Sequence, residues 1–290
     1  DMTSYIRAVS LAIAFYDYFI TLPAEYRFYA SQRSWRLSPG CILFIAIRYS
    51  SIAVLLFSSV GYYSTSFSTA LCNRYFIAAP VFKVLQTMIS QVVLGVRTMN
   101  LSRRATWVTR TISITFMVCT MAEWFLNLWN RVRKCMPYAL RATPYISHCW
   151  QLCTAGNAPP VLTAWLYYMF AMTYDVVTLV ISTAYLINLG SNSGKMAQLV
   201  RIMLTDGLIY FVTLTGANIL NLILYRSSIE SVQSSGVSIG YTVTWIMSQR
   251  ILIHLQDATT VHNRAIATQV VVSRSLHSIP RAVPNQFESE

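Results

Sequence analysis

Charge is scarce in this sequence. Only 11% of its 290 residues are Asp, Glu, Lys or Arg, where an ordinary soluble domain carries about 25%. With 55% hydrophobic residues and a positive mean hydropathy, the composition excludes a water-soluble globular domain. Lysine occurs only at Lys83, Lys134 and Lys195; none falls in the last apolar run, which argues against a retinal Schiff base there. The four histidines do not cluster: His148 stands in a connection, and His254, His262 and His277 lie near or beyond the last run, so no metal site is expected. Neither an acidic-Arg-aromatic triplet after the third run, which ends in "GVRTMN", nor an Asn-Pro-x-x-Tyr in the seventh is present. The common receptor motifs are therefore missing. No internal repeat or broken helix of the transporter kind is visible.

What the chain has instead is long apolar runs. About 20 apolar residues span the hydrocarbon core as a helix, and seven runs qualify, at about 5–22, 41–62, 76–97, 108–130, 161–188, 202–225 and 238–256. The expected fold class is all-α: a polytopic membrane protein with a bundle of seven transmembrane helices. The seven-helix domain is expected over 1–257, with a cytoplasmic, disordered tail over 258–290. No cleavable signal precedes the first run, so that run is expected to act as the targeting element. All but three of the 22 basic residues are arginines scattered around the run ends. That distribution fits topology better than nucleic-acid binding. Twelve basic residues fall on one side and seven on the other, which places the N-terminus outside by the positive-inside rule. The implied location is integral, in the plasma membrane or an endomembrane, with the lipid bilayer as the first partner and no nucleic acid.

In this orientation Cys72, Cys135, Cys149 and Cys153 lie on the outer side, where disulfides persist. A bond from Cys72 to Cys149 or Cys153 would tie the long outer connection to the top of the third run. The sequon at Asn100–Ser102 faces the cytoplasm and is expected to carry no glycan. Ser273, Ser275 and Ser278 beside Arg274 make the tail a phosphorylation candidate.

Ionisable side chains at membrane depth need partners. Asp17 and Arg48 sit about 7 and 10 Å from the cytoplasmic ends of their runs, and Asp206 and Arg250 about 6 and 10 Å from theirs. These four are expected to form an intramembrane charge cluster, with Asp17 the first partner for Arg48. On the outer half Lys83 and Glu123 lie about 10 Å deep and Asp175 near the midplane. With Trp124, Tyr168, Tyr210 and Trp245 around them, they form a candidate ligand pocket, aromatic and apolar with a few convergent charges.

The stretch "YDYFITLPAEYRFYASQRSWRLSPGCILFIAIRY" resembles the opening pattern of a family of uncharacterised multi-span proteins of mushroom-forming fungi, known as a domain of unknown function. The matching positions are Asp17, Tyr18, Thr21, Leu22, Glu25, Trp35, Leu43, Phe44, Arg48 and Tyr49. Later stretches, "LGVRTMNLSRRATWV", "TDGLIYFVTLTGANILNLILY" and "MSQRILIHL", resemble that family in order, with Gln249 inserted before Arg250. The resemblance implies a seven-helix fold and supports the cytoplasmic pairs. It implies no activity.

The first functional expectation is a receptor-like protein whose outward-facing pocket takes a small apolar ligand, with an unspecified cytoplasmic partner and no cofactor. The alternative is a membrane-embedded enzyme, such as a cyclase of prenyl substrates, with Glu123 or Asp175 as the proton donor. A transporter is the third.

Overall fold

The computed structural model describes residues 2–30, 37–64, 69–102, 104–129, 131–137, 151–157, 163–191, 196–225 and 236–256. Its elements are α1 (Met2–Ala30), α2 (Pro39–Tyr63), α3 (Thr69–Tyr75), α4 (Ala78–Leu101), α5 (Thr106–Leu128), β1 (Arg131–Pro137), β2 (Gln151–Asn157), α6 (Thr163–Ser191) and α7 (Met196–Tyr225). A last helix, α8, covers 236–256. Five helices are long and apolar enough to cross a membrane: Ser4–Ala30, Pro39–Tyr63, Ala70–Leu101, Thr106–Leu128 and Leu166–Tyr185. With α7 and α8, seven long helices stand among the described residues. The chain divides into a unit Asp1–Leu252 and a unit Ile253–Glu290. The expected tail from 258 lies outside the described residues.

Local chemistry sets several boundaries. Ser38 caps α2 by accepting the Cys41 N–H at 3.3 Å, and Pro39 follows at the first helical position, where its fixed φ fits and its missing N–H has no partner to lose. Between α4 and α5, Ser102 closes the helix by donating its N–H to Thr98 O. Arg104 then reverses the chain at φ 58° while its N–H reaches back to Met99 O at 2.9 Å. Pro23 lies inside α1 without ending it. The helix therefore runs eight residues beyond the expected end at 22, because the polar residues after Leu22 continue the helix rather than leave it.

Two elements were not expected. The short α3 precedes α4, and the connection after α5 contains an antiparallel two-stranded ribbon whose register sets Cys135 opposite Cys153. This ribbon is the one departure from an otherwise helical architecture among the described residues.

The bundle is ordered inside out. On α5 the buried positions include Glu123 and Asn127, while Ile114, Met117, Val118, Met121 and Phe125 are exposed. That is the reverse of a soluble helix and is what a helix in lipid requires, since polar groups must find partners in the interior. Lipid also removes the hydrophobic drive between helices, leaving packing and interhelical hydrogen bonds. Most of those bonds start from α4. Gln86 Nε2 donates to Ser51 Oγ on α2 at 2.9 Å and to Tyr241 O on α8 at 2.8 Å. Thr87 meets the Tyr167 hydroxyl on α6 at 2.7 Å, Ser90 meets Ser248 on α8 at 2.7 Å, and Thr98 meets Ser182 on α6 at 2.8 Å. From α5, Asn127 donates to Pro80 O on α4 at 2.8 Å. One polar helix thus bonds to α2, α5, α6 and α8.

Candidate functional site: a polar cavity and a buried arginine

A small cavity, about 40 Å³ of space for water-sized groups and open on one side, lies among α4, α6, α7 and α8. Helix α4 contributes Lys83, Gln86, Thr87, Ser90 and Gln91; α6 contributes Tyr167, Tyr168, Ala171 and Asp175. The far wall is Leu214, Asn218 and Asn221 of α7 with Val237, Gly240, Tyr241 and Thr244 of α8. Spacing explains the wall: residues 83, 86, 87, 90 and 91 recur at the i, i+3, i+4, i+7, i+8 positions of one helix face, and Asn218 and Asn221 are three apart on theirs. Gly240 makes room for the second asparagine, since a Cβ there would stand 2.5 Å from Asn221 Nδ2.

The Lys83 ammonium is held by aromatic groups. Its Nζ donates to the Tyr168 hydroxyl at 3.1 Å and lies 4.1 and 4.4 Å from the ring centres of Tyr167 and Tyr168, an arrangement that stabilises a desolvated cation through the ring faces. Asp175 lines the cavity opposite and is almost wholly buried. Glu123 does not reach the cavity. It is fully buried behind Gln91, whose Nε2 donates to Glu123 Oε1, while Oε2 has no hydrogen-bond partner. It remains within electrostatic reach of both Lys83 and Asp175.

Of the seven residues expected to form the pocket, Lys83, Tyr168 and Asp175 line the cavity and Glu123 stands behind it. Trp124 packs against the buried group of Val84, Tyr167 and Tyr168. Trp245 is elsewhere, in a core with Ala14, Val54, Leu55 and Tyr241, its indole N–H donated to Gln249. Tyr210 is half-buried on α7 and is not part of the cavity wall. The amides Gln86, Gln91, Asn218 and Asn221 were not among the expected pocket residues, although an amide inside an apolar run requires partners for the same reason a charge does.

The second feature answers why Arg48 stands in an apolar run. Arg48 is fully buried. Its Nη1 donates to Thr21 Oγ1 at 2.9 Å, its Nη2 to Tyr18 O at 3.1 Å, and its Nε lies 3.2 Å from Glu25 Oε2 in an ion pair that lacks hydrogen-bond geometry. The guanidinium also lies 4.1 Å over the Tyr18 ring. Glu25 takes a further hydrogen bond from the Tyr29 hydroxyl at 3.0 Å. The expected direct pair with Asp17 does not form; Asp17 instead accepts Arg250 Nη2 at 2.8 Å. The longer α1 is the reason. Counted from Ala30 and Pro39, Thr21 and Arg48 are both about 13 Å from their helix ends, and Asp17 is a turn deeper. Asp17 and Glu25 of α1 thus each hold one arginine, Arg250 and Arg48 respectively. The Asp206 side chain lies outside the described residues.

Cys72 is buried and disulfide-bonded; the side chains of Cys149 and Cys153 lie outside the described residues. Cys41 and Cys119 are free thiols.

The model of a family of unknown function, DUF6533, matches residues 5–53. No curated protein matches the chain. The matched segment is α1 with the first half of α2, and it contains Tyr18, Thr21, Glu25 and Arg48 together. The similarity thus falls on the arginine clamp rather than on the cavity, and it carries no activity.

Proposed function

We propose that this chain is a seven-span, receptor-like membrane protein with its N-terminus outside, and that it holds a small molecule in the cavity between α4, α6, α7 and α8. One observation carries the reading. Helices α4 and α6, long and apolar enough to cross a membrane, form with α7 and α8 a polar and aromatic cavity with Lys83 and Asp175 in its wall, whereas a bundle built only for stability would bury apolar contacts there. The orientation is supported by Cys72, whose disulfide belongs in an oxidising compartment. It sits between α2 and α4, a connection that is outer when the N-terminus is outer.

The test is ligand-dependent stability in nanodiscs. A bound compound raises the unfolding midpoint by mass action, by about 2.7 kcal/mol at a hundred times its Kd. Ala171→Leu, which fills the cavity, should abolish the shift. Chemical conversion of the bound compound would replace the receptor reading by the enzyme, and its accumulation inside proteoliposomes would replace it by the transporter.

A further inference from the structure

Most polar groups of the cavity wall already have partners in neighbouring helices. Gln86, Thr87, Ser90 and Gln91 are bonded to Ser51 and Tyr241, to Tyr167, to Ser248 and to Glu123 respectively. Asp175 and Asn221 are the most deeply buried of those for which no such bond is seen among the described residues. The Asp175 side chain, 6% exposed, makes no hydrogen bond or ion pair among the described residues; only its backbone carbonyl is used, by Thr178. Asn221, 5% exposed, has its Oδ1 buried with no partner. Both residues line the cavity. A buried carboxylate and a buried amide oxygen left without donors are each unfavourable by more than a typical hydrogen bond contributes.

The charge count points the same way. In and behind this wall stand one cation, Lys83, and two carboxylates, Asp175 and Glu123, and Lys83 is directed onto the tyrosines. The wall and its backing therefore hold more carboxyl groups than cations among the described residues, and a cation entering there favours the ionised form of Asp175.

We propose that the cavity binds a small protonated amine, its ammonium donating to the Asp175 carboxylate and to Asn221 Oδ1. The proposal rests on the small-molecule reading above and names its ligand class. An ammonium group has three donors, enough for the Asp175 carboxylate and a turn of Asn221, whose Oδ1 now lies against Gly236, and the Tyr241 ring in the wall offers it an aromatic neighbour. Leu214, Val237 and Ala171 accept a short apolar substituent. A bare metal cation would require a fuller shell of oxygens than these two orphan acceptors provide. The enclosed part has room for about three waters, so the ligand is of few heavy atoms.

The experiment uses the full chain in nanodiscs with a size series of amine hydrochlorides, from methylamine to 2-phenylethylamine. The matched neutral alcohols and matched carboxylates serve as comparators, and sodium and potassium chloride as ionic ones. Binding is read by thermal shift and by displacement between series members. Amines, and not their alcohols or carboxylates, should bind, one member being preferred by size. Asp175→Asn should weaken that binding roughly 10- to 100-fold, the loss of one charge-assisted hydrogen bond. Asn221→Leu provides an independent arm and should weaken it several-fold; Lys83→Met should strengthen it, because a competing cation is removed. Equal or better binding of alcohols or carboxylates, blocked by Ala171→Leu, would overturn the amine class and leave the small-molecule reading standing. Stabilisation by sodium alone, without competition by amines, would overturn it in the same way. No binding by any series would overturn both.

Discussion

Arg48 is the side chain whose surroundings make the sharpest prediction about stability. Arg48→Gln removes a fully buried guanidinium and leaves Glu25, itself nearly buried, with the Tyr29 hydroxyl as its remaining hydrogen bond. Breaking one side of a buried pair is unfavourable by about 3–5 kcal/mol. Glu25→Gln should be milder, at about 2–3 kcal/mol, because Arg48 retains Thr21, the Tyr18 carbonyl and the Tyr18 ring. In the double variant neither charge is stranded, so the pair should recover about 1–3 kcal/mol relative to the sum of the singles. The corresponding cycle of Arg48→Gln with Asp17→Asn should be close to additive, since Asp17 bonds to Arg250 and that arginine side chain is 44% exposed. Denaturation midpoints in mixed SDS micelles measure all six proteins, wild type included. Additivity between Arg48 and Glu25, or stronger coupling of Arg48 to Asp17 than to Glu25, would refute the assignment.

Other outcomes follow from single contacts. Gly95→Ala places a Cβ 2.6 Å from the Tyr174 hydroxyl and 3.3 Å from Ile112 Cγ2; it should displace Tyr174 from Gln91 O and destabilise by about 1–3 kcal/mol. Gly216→Ala meets nothing within 4 Å and should stabilise by about 0.5–1 kcal/mol in the same midpoint assay. Gln86→Leu removes bonds to both α2 and α8, those accepted by Ser51 Oγ and the Tyr241 carbonyl, a loss of about 1–3 kcal/mol. Cys72→Ser should lower stability by about 2–4 kcal/mol under oxidising conditions only. Peptide mapping without reductant should recover Cys72 joined to Cys149 or Cys153, and the packing of α3 against β2 favours Cys153.

The apolar runs made the helices legible, with ends within a few residues for α2, α4, α5, α6 and α8, because twenty consecutive apolar residues leave lipid few other conformations to accept. The end of α1 was not legible. Pro23 and the polar residues through Tyr29 look like a loop, yet their polar groups are answered across the interface by Arg48 and by each other, and Phe28 stacks on Phe44 at 4.4 Å. That error hid Glu25 and assigned Asp17 to the wrong arginine. The α6 and α4 parts of the cavity were legible through Asp175, Tyr168 and Lys83, since charge at membrane depth must be accommodated. The α7 and α8 wall was not, because Gly240 acquires meaning only when the two helices pack with Asn221 against the space its missing Cβ leaves. The ribbon after α5 has no period-2 apolar signal in "RVRKCMP" or "QLCTAGN"; its pairing is a property of the backbone register.

If the space between α4, α6, α7 and α8 is an open ligand cavity rather than packed core, a cysteine placed in its wall is reachable by a small reagent. Ala171→Cys, in a background where the buried free thiols Cys41 and Cys119 are replaced by serine, tests it most directly. A small membrane-impermeant thiol reagent applied from outside should modify Cys at 171, the amine series should slow that reaction, and Val54→Cys, fully buried in the neighbouring core, should not react. A position 171 as silent as position 54, in folded protein, would contradict the account.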